Sequence, residues 1–179
     1  MQKINITKSI LIVKFDQNDY ISKNQKIYDD IKNILKSFDD DLLLNQTIDY
    51  IDNLNGDIFL ANKKVDIFEL KQNSKTISFA IFENKTLKTI WTDYDYLKLG
   101  FATILLRIIA VMQKANKTQS FNCVVDECNL VAQSLFDSFS KIDGVNAQKK
   151  SNNKKIEYLF DFANIDEKKI LNDISLLVI

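Results

Sequence analysis

The run from Ile4 to Phe15, INITKSILIVKF, is dense in β-branched residues and predicts a strand. Its end is polar, and Ser22 and Gln25 then stand at capping-box spacing ahead of Ile27, Ile31, Ile34, Leu35 and Phe38. Those five recur at helical period, so an amphipathic helix is expected. After the acidic break at Asp39, Asp40 and Asp41, a second set at Leu44, Ile48, Ile51 and Leu54 keeps the period, with Asn55 and Gly56 as its stop. Four apolar runs follow, Asp57 to Ala61, Val65 to Leu70, Thr76 to Phe82 and Leu87 to Trp91, separated by Asn and Lys turns. They predict a meander of antiparallel strands.

From Trp91 to Met112 the pattern changes: polar residues break the strand, Gly100 follows, and a long apolar helix begins. Phe101, Ile104, Leu105, Ile108 and Met112 fall on one side, and Ala102, Leu106, Ile109 and Val111 make the rest apolar too. Burial on most sides is expected. A glycine ahead of a helix lets backbone approach a ligand, and the first helical amides have no intrahelical acceptor, so this start is a candidate anion site. Next come a strand from Ser120 to Val125 and a helix from Asn129 to Phe139. Gly144 ends that region. Lys155 to Phe162 alternates as a late strand, and a short helix from Ile165 carries Ile170, Leu171, Ile174 and Leu177 inward. There is no internal repeat, low-complexity linker or proline.

Composition sets the outer limits. With 179 residues and 46% hydrophobic content, one domain with a sizeable core is expected. The 24 basic and 24 acidic residues cancel, which argues against nucleic acid or an anionic membrane as partner. Lys149, Lys150, Lys154 and Lys155 form the densest basic cluster, read as a solvated hairpin turn. Histidine is absent, which excludes Ser-His-Asp and Cys-His nucleophilic systems. Cys123 and Cys128 have no second pair beside them, so a zinc site is not expected. The run from Leu99 to Met112 is too short to span a bilayer and contains Arg107. The N-terminus lacks the order of a secretory signal, and a cytoplasmic protein with free thiols is expected.

Two local patterns carry a family resemblance. Leu97 to Ala102, LKLGFA, resembles the end of the Q/R-x-x-G-x-G/A phosphate loop of the GNAT N-acyltransferase superfamily, and Asn129, Ala132, Leu135 and Phe136 resemble its N-x-x-A-x-x-L-Y helix. The resemblance covers roughly 76–141, and the flanking elements by order. It implies an α/β (α+β) fold: a mixed, mostly antiparallel central sheet flanked by about four helices, plus a short C-terminal helix, in a single domain 1–179. Roughly 1–56 would form the acceptor side and roughly 76–141 the coenzyme A binding core.

The resemblance further implies acetyl-CoA or another acyl-CoA as co-substrate and an amine, of a small molecule or a protein, as acceptor. The amides of Leu99, Gly100, Phe101, Ala102 and Thr103 would face the pyrophosphate, aided by the helix start and by Lys98. The edge of the strand ending at Ile90, Trp91 and Thr92 would pair with the pantetheine arm as an added strand does, with Asn129 opposite. The plainer alternative is that Gly100 serves helix packing and Asn129 a helix cap. Two departures matter: Leu97 stands where the family has Gln or Arg, and Phe136 where many members have a proton-donating tyrosine. Tyr94 and Tyr96 are substitute donors. Candidate bases are Glu83 and Asp93, since a partly buried carboxylate can accept a proton near neutrality. The expected activity is direct acetyl transfer in a ternary complex. The alternatives are a non-catalytic coenzyme A binding or protein-interaction module, and an effector acylating a macromolecule such as charged tRNA. Exposed edge strands and the terminal Leu176 to Ile179 make a homodimer a further expectation.

Overall fold

A computed structural model describes residues 1–5, 10–39, 42–60 and 64–177, without the side chains of 17–24, 42–43, 54–60 and 176–177. Its centre is an eight-stranded sheet in the order β1-β2-β3-β4-β5-β6-β8-β7. The strands are β1 (Gln2–Asn5), β2 (Ile10–Phe15), β3 (Val65–Gln72), β4 (Lys75–Glu83), β5 (Thr86–Thr92), β6 (Ser120–Asp126), β7 (Asn146–Asn152) and β8 (Lys155–Asp161). Every neighbouring pair is antiparallel except β5 with β6. The five helices are α1 (Gln17–Leu35), α2 (Leu42–Leu60), α3 (Phe101–Ala115), α4 (Leu130–Phe139) and α5 (Glu167–Leu177).

The helices cover two faces of the sheet. One core joins α1 and α2 to Val13, Phe15, Ile67, Phe79 and Ile81. The other joins α3, α4 and α5 to Phe68, Leu70, Ala80, Phe82, Phe121 and Phe160. β3 and β4 are therefore buried on both faces, which is why they read as continuous apolar runs. α3 lies inside the second core, with Leu105, Leu106, Ile108 and Ile109 fully buried. Burying each such side chain contributes about 1.5–3 kcal/mol, which fixes the start of α3 against the sheet. Among the described residues, no helix is long and apolar enough to cross a membrane.

Four local expectations are corrected. Ile4 to Phe15 is not one strand: β1 and β2 form a hairpin, pairing Gln2 with Lys14 and Asn5 with Leu11. Ser22 is not a cap, since α1 begins at Gln17, directly after Asp16, a residue type favoured before a helix. Asn55 and Gly56 do not stop α2, which runs on to Leu60, so no strand covers Asp57 to Leu60. Gly in a helix interior costs only about 1 kcal/mol, and length and packing override it. β7 carries no apolar alternation because all of its residues are exposed, and it forms an outer edge. Asp40, Asp41, Ala61, Val178 and Ile179 lie outside the described residues.

Gly144 does close the region after α4. Its φ is +82°, and a Cβ there would collide with the backbone of Asn164 and Ile165. Only glycine fits.

Candidate functional site

The site begins with a defect in β5. Ile81 pairs with Thr89 and Phe82 with Leu87, so Lys88 is an extra residue on β5, a β-bulge. A bulge bends its strand and sharpens the local twist. The partner on the other side is lost at the same place: β5 pairs with β6 only through Thr86–Asn122 and Leu87–Cys123. At that closed end the Thr86 hydroxyl donates to Asn122 Oδ1 at 2.8 Å, and the Asn122 amide donates to Lys85 O at 3.0 Å. Beyond it the two strands diverge, and among the described residues the β6-facing edge of β5 from Lys88 onward has no strand beside it.

The divergence makes a wedge-shaped cavity of about 150 Å³. Its walls are Thr89, Ile90 and Trp91 from β5, Val124 and Val125 from β6, and Asn129 and Phe136 from the end of the β6–α4 turn and from α4. Thr47 borders it from α2. An unpaired strand edge beside apolar walls can take an extended, amide-bearing chain.

The loop leaving β5 shapes the other part of the site. Asp93 is buried, caps a turn of 3-10 helix (Tyr94–Tyr96) by accepting from the Asp95 amide at 3.2 Å, and pairs with Lys75 at 2.8 Å. Lys75 also lies 5.4 Å from the Tyr96 ring centroid, and Tyr96 packs edge-on to Phe101. The turn after α1 supports the loop from outside. The Tyr94 amide donates to Ser37 Oγ at 3.1 Å, and Phe38 stacks edge-on against both Trp91 and Tyr94.

After this anchored turn the chain is open. Leu97, Lys98, Leu99 and Gly100 are all exposed, and Lys98 and Gly100 have φ of +62° and +84°. The first amide of α3 with a backbone acceptor is that of Ile104, which donates to Gly100 O. Among the described residues the amides from Lys98 to Thr103 have no acceptor. A Cβ built on Gly100 meets nothing within 4 Å. Open space over unpaired amides at the positive end of a helix fits a phosphate or pyrophosphate, so the residues present suit the anionic end of a coenzyme A.

The expected site residues fall into three groups. Trp91, Asn129 and Phe136 line the wedge together. Lys98 to Thr103 form the loop and first turn of α3. Thr92, Asp93 and Glu83 do not line the wedge. The Ser78 hydroxyl donates to Trp91 O at 2.7 Å and accepts from the Thr92 hydroxyl at 3.0 Å, so Thr92 points toward β4. Glu83 stands behind the bulge, 3.5 Å from Lys88 Nζ, and accepts from the Tyr50 hydroxyl at 3.2 Å. Burial first, and then the neighbouring carboxylate, hold the Tyr50 phenol above its ordinary range, so it stays a donor.

Asn129 caps α4, its Oδ1 accepting from the Ala132 amide at 3.0 Å; its side-chain NH₂ has no acceptor among the described residues. Phe136 is 3% exposed and packs 5.4 Å from Tyr158 and 6.0 Å from Phe160. Among the described residues no tyrosine lines the wedge.

Sequence reasoning missed Thr47, Lys88, Cys123 and Asp126, which line the wedge, and Tyr50 behind it. Thr47 had a signal, a polar residue inside the apolar stripe of Leu44, Ile48 and Ile51. Lys88 had none, since a bulge is visible only in the pairing register. Burial pushes the Cys123 thiol up, so it is a small apolar wall here and not a nucleophile.

By sequence, no family model and no curated protein matches the chain. By structure it resembles the PaiA N-acetyltransferase of Thermoplasma acidophilum, solved with coenzyme A, at 14% identity and a TM-score of 0.57 over 86% of this chain and 99% of that one. RimL, a ribosomal-protein alpha-N-acetyltransferase solved with coenzyme A, matches at 10% identity and a TM-score of 0.56 over 90% and 99%. The Escherichia coli N-acetyltransferase of a ribosomal-protein alanine matches at 17% identity and 0.55 over 88% and 97%. Likenesses at these identities establish the fold.

Proposed function

We propose that this chain, which has the fold of the GNAT acetyltransferases, is an acyl-CoA dependent N-acyltransferase that moves an acetyl group directly onto an amine. The observation that supports this most is the meeting of two unpaired features at one end of the sheet: the β5 edge beyond the Lys88 bulge, and the acceptor-free amides at the start of α3. The loop suits the pyrophosphate of acetyl-CoA, and the wedge suits its pantetheine arm, with the Asn129 NH₂ as a donor to that arm. PaiA and RimL were each solved with coenzyme A, which accords with this reading.

In the reaction, the amine nitrogen attacks the thioester carbonyl, a C–N bond forms and the C–S bond breaks. The amine proton is assigned to Glu83, reached through water on the α2 side, because its half-buried carboxylate lies 3.5 Å from Lys88, a wall of the wedge, whereas Asp93 is buried against Lys75. Phe136 gives the departing thiolate no proton, so the thiolate leaves unassisted and is protonated by solvent. A thiolate is stable enough for that path. The amine reaches the wedge on the α2 side, where Thr47 borders it.

Thiol release from acetyl-CoA with a panel of small amines and peptide N-termini tests the activity. The expected result is amine-dependent release that Glu83→Gln lowers about a hundredfold in kcat. Absence of release with every amine, despite acetyl-CoA binding, would leave the non-catalytic binding module as the correct reading.

A further inference from the structure

The far end of α3 borders a second, polar cavity of about 230 Å³, lined by Lys14, Lys64, Asp66, Lys85, Gln113 and Thr118 together with Asn84 and Asn116. Three ammonium groups meet one carboxylate, and that carboxylate is taken: Asp66 Oδ2 lies 3.1 Å from Lys14 Nζ. Lys64 and Lys85 are exposed and have no ion pair among the described residues. The cavity therefore keeps an excess of positive charge inside a chain with none overall.

Gln113 is the second observation. It is 5% exposed, its Oε1 is buried without a donor, and no acceptor for its NH₂ is found among the described residues. A buried polar group left unmatched costs about 1–3 kcal/mol, and in a helix otherwise built of Leu, Ile and Val an apolar residue would avoid that cost. A ligand that both donates and accepts removes it.

A helix C-terminus ordinarily repels anions, because its last carbonyls are unpaired. Here three of the last four have donors. Met112 O accepts from the backbone and side-chain amides of Asn116, Gln113 O from the amides of Asn116 and Thr118, and Lys114 O from the Lys117 amide. Most of the carbonyls at the negative end of α3 thus already have donors.

We propose that this cavity binds the phosphate group of a small molecule, with Lys64 and Lys85 supplying charge and the Gln113 amide pairing with a phosphate oxygen and a P–OH. Gly100 and Gln113 stand at opposite ends of α3, roughly 20 Å apart at the helical rise, so the site is separate from the wedge and its ligand does not compete with an acyl-CoA.

The test is calorimetry on the full chain at low salt, titrating inorganic phosphate and, separately, glycerol 3-phosphate. Saturable binding of at least one is expected; tighter phosphate assigns the site to the free ion, and tighter glycerol 3-phosphate to an ester. The exposed pair Lys64→Ala with Lys85→Ala should weaken it at least tenfold. Gln113→Met should raise Tm in phosphate-free buffer and abolish the rise that phosphate gives the wild type. No saturable binding of either probe at millimolar concentration, or binding indifferent to the lysine pair, overturns the proposal.

Discussion

Thr86 and Asn122 are joined side chain to side chain at 2.8 Å, at the closed end of the short stretch where β5 and β6 pair. This bond holds the hinge of the wedge, so the angle between the strands depends on it. Thr86→Val keeps the side-chain shape and removes the donor. It should cost about 1 kcal/mol in urea denaturation and weaken acetyl-CoA binding several-fold, with the loss in affinity showing that the hinge sets the wedge.

Gly100 has a φ of +84° and open space around its missing Cβ. Gly100→Ala meets no neighbour, so its penalty is conformational, about 1–2 kcal/mol. The expected outcome is a matching drop in stability together with at least a tenfold loss of acetyl-CoA affinity. Gly100→Asn, which tolerates a left-handed backbone better, should recover part of both.

Phe136 packs among Tyr158 and Phe160 and also forms a wall of the wedge. Phe136→Ala removes a ring from an aromatic cluster and should destabilise by about 3–5 kcal/mol in chemical denaturation. A loss under about 1 kcal/mol would mean that the ring is not part of the core.

Glu69 is fully buried, 2.6 Å from Lys71 Nζ, with one oxygen unpaired. Burial raises its carboxyl above the usual range in spite of Lys71. A group raised in the folded state binds more protons there than in the unfolded chain, so its contribution is present at low pH and lost as pH rises through the folded value. Wild type should therefore lose stability relative to Glu69→Gln as pH climbs from 4 to 7. Urea denaturation of both proteins at several pH values across that interval measures it, and a relative gain by wild type contradicts it.

The two cysteines differ in the same physical way. Cys128 is exposed and Cys123 is buried with its thiol pushed up. An aromatic disulfide reagent should label one thiol at once in the native protein and the second only on unfolding. Fast labelling of both would show that the wedge opens to solvent at Cys123.

What the sequence disclosed follows from how local each feature is. The strands β3, β4 and β5 and the helix α3 were readable because apolar runs and periods are properties of short segments. Gly100 and Asn129 were readable for the same reason, each belonging to a helix start. The β1–β2 hairpin was hidden because Thr7 and Lys8 barely interrupt a β-rich run, and β7 because an edge strand needs no apolar face. The wedge itself was not legible. It depends on Lys88 slipping the register against β4 and on β6 parting from β5 after Leu87, and no residue type encodes either. Thr47 and Tyr50 reach the site only through the packing of α2.

The central claim is that the wedge and the α3 loop together hold an acyl-CoA. Titrating acetyl-CoA into the full chain by calorimetry tests it most directly. A saturable heat with one site per chain, lost or at least tenfold weaker in Gly100→Ala, is the predicted result. No heat and no rise in Tm at high protein concentration would contradict it.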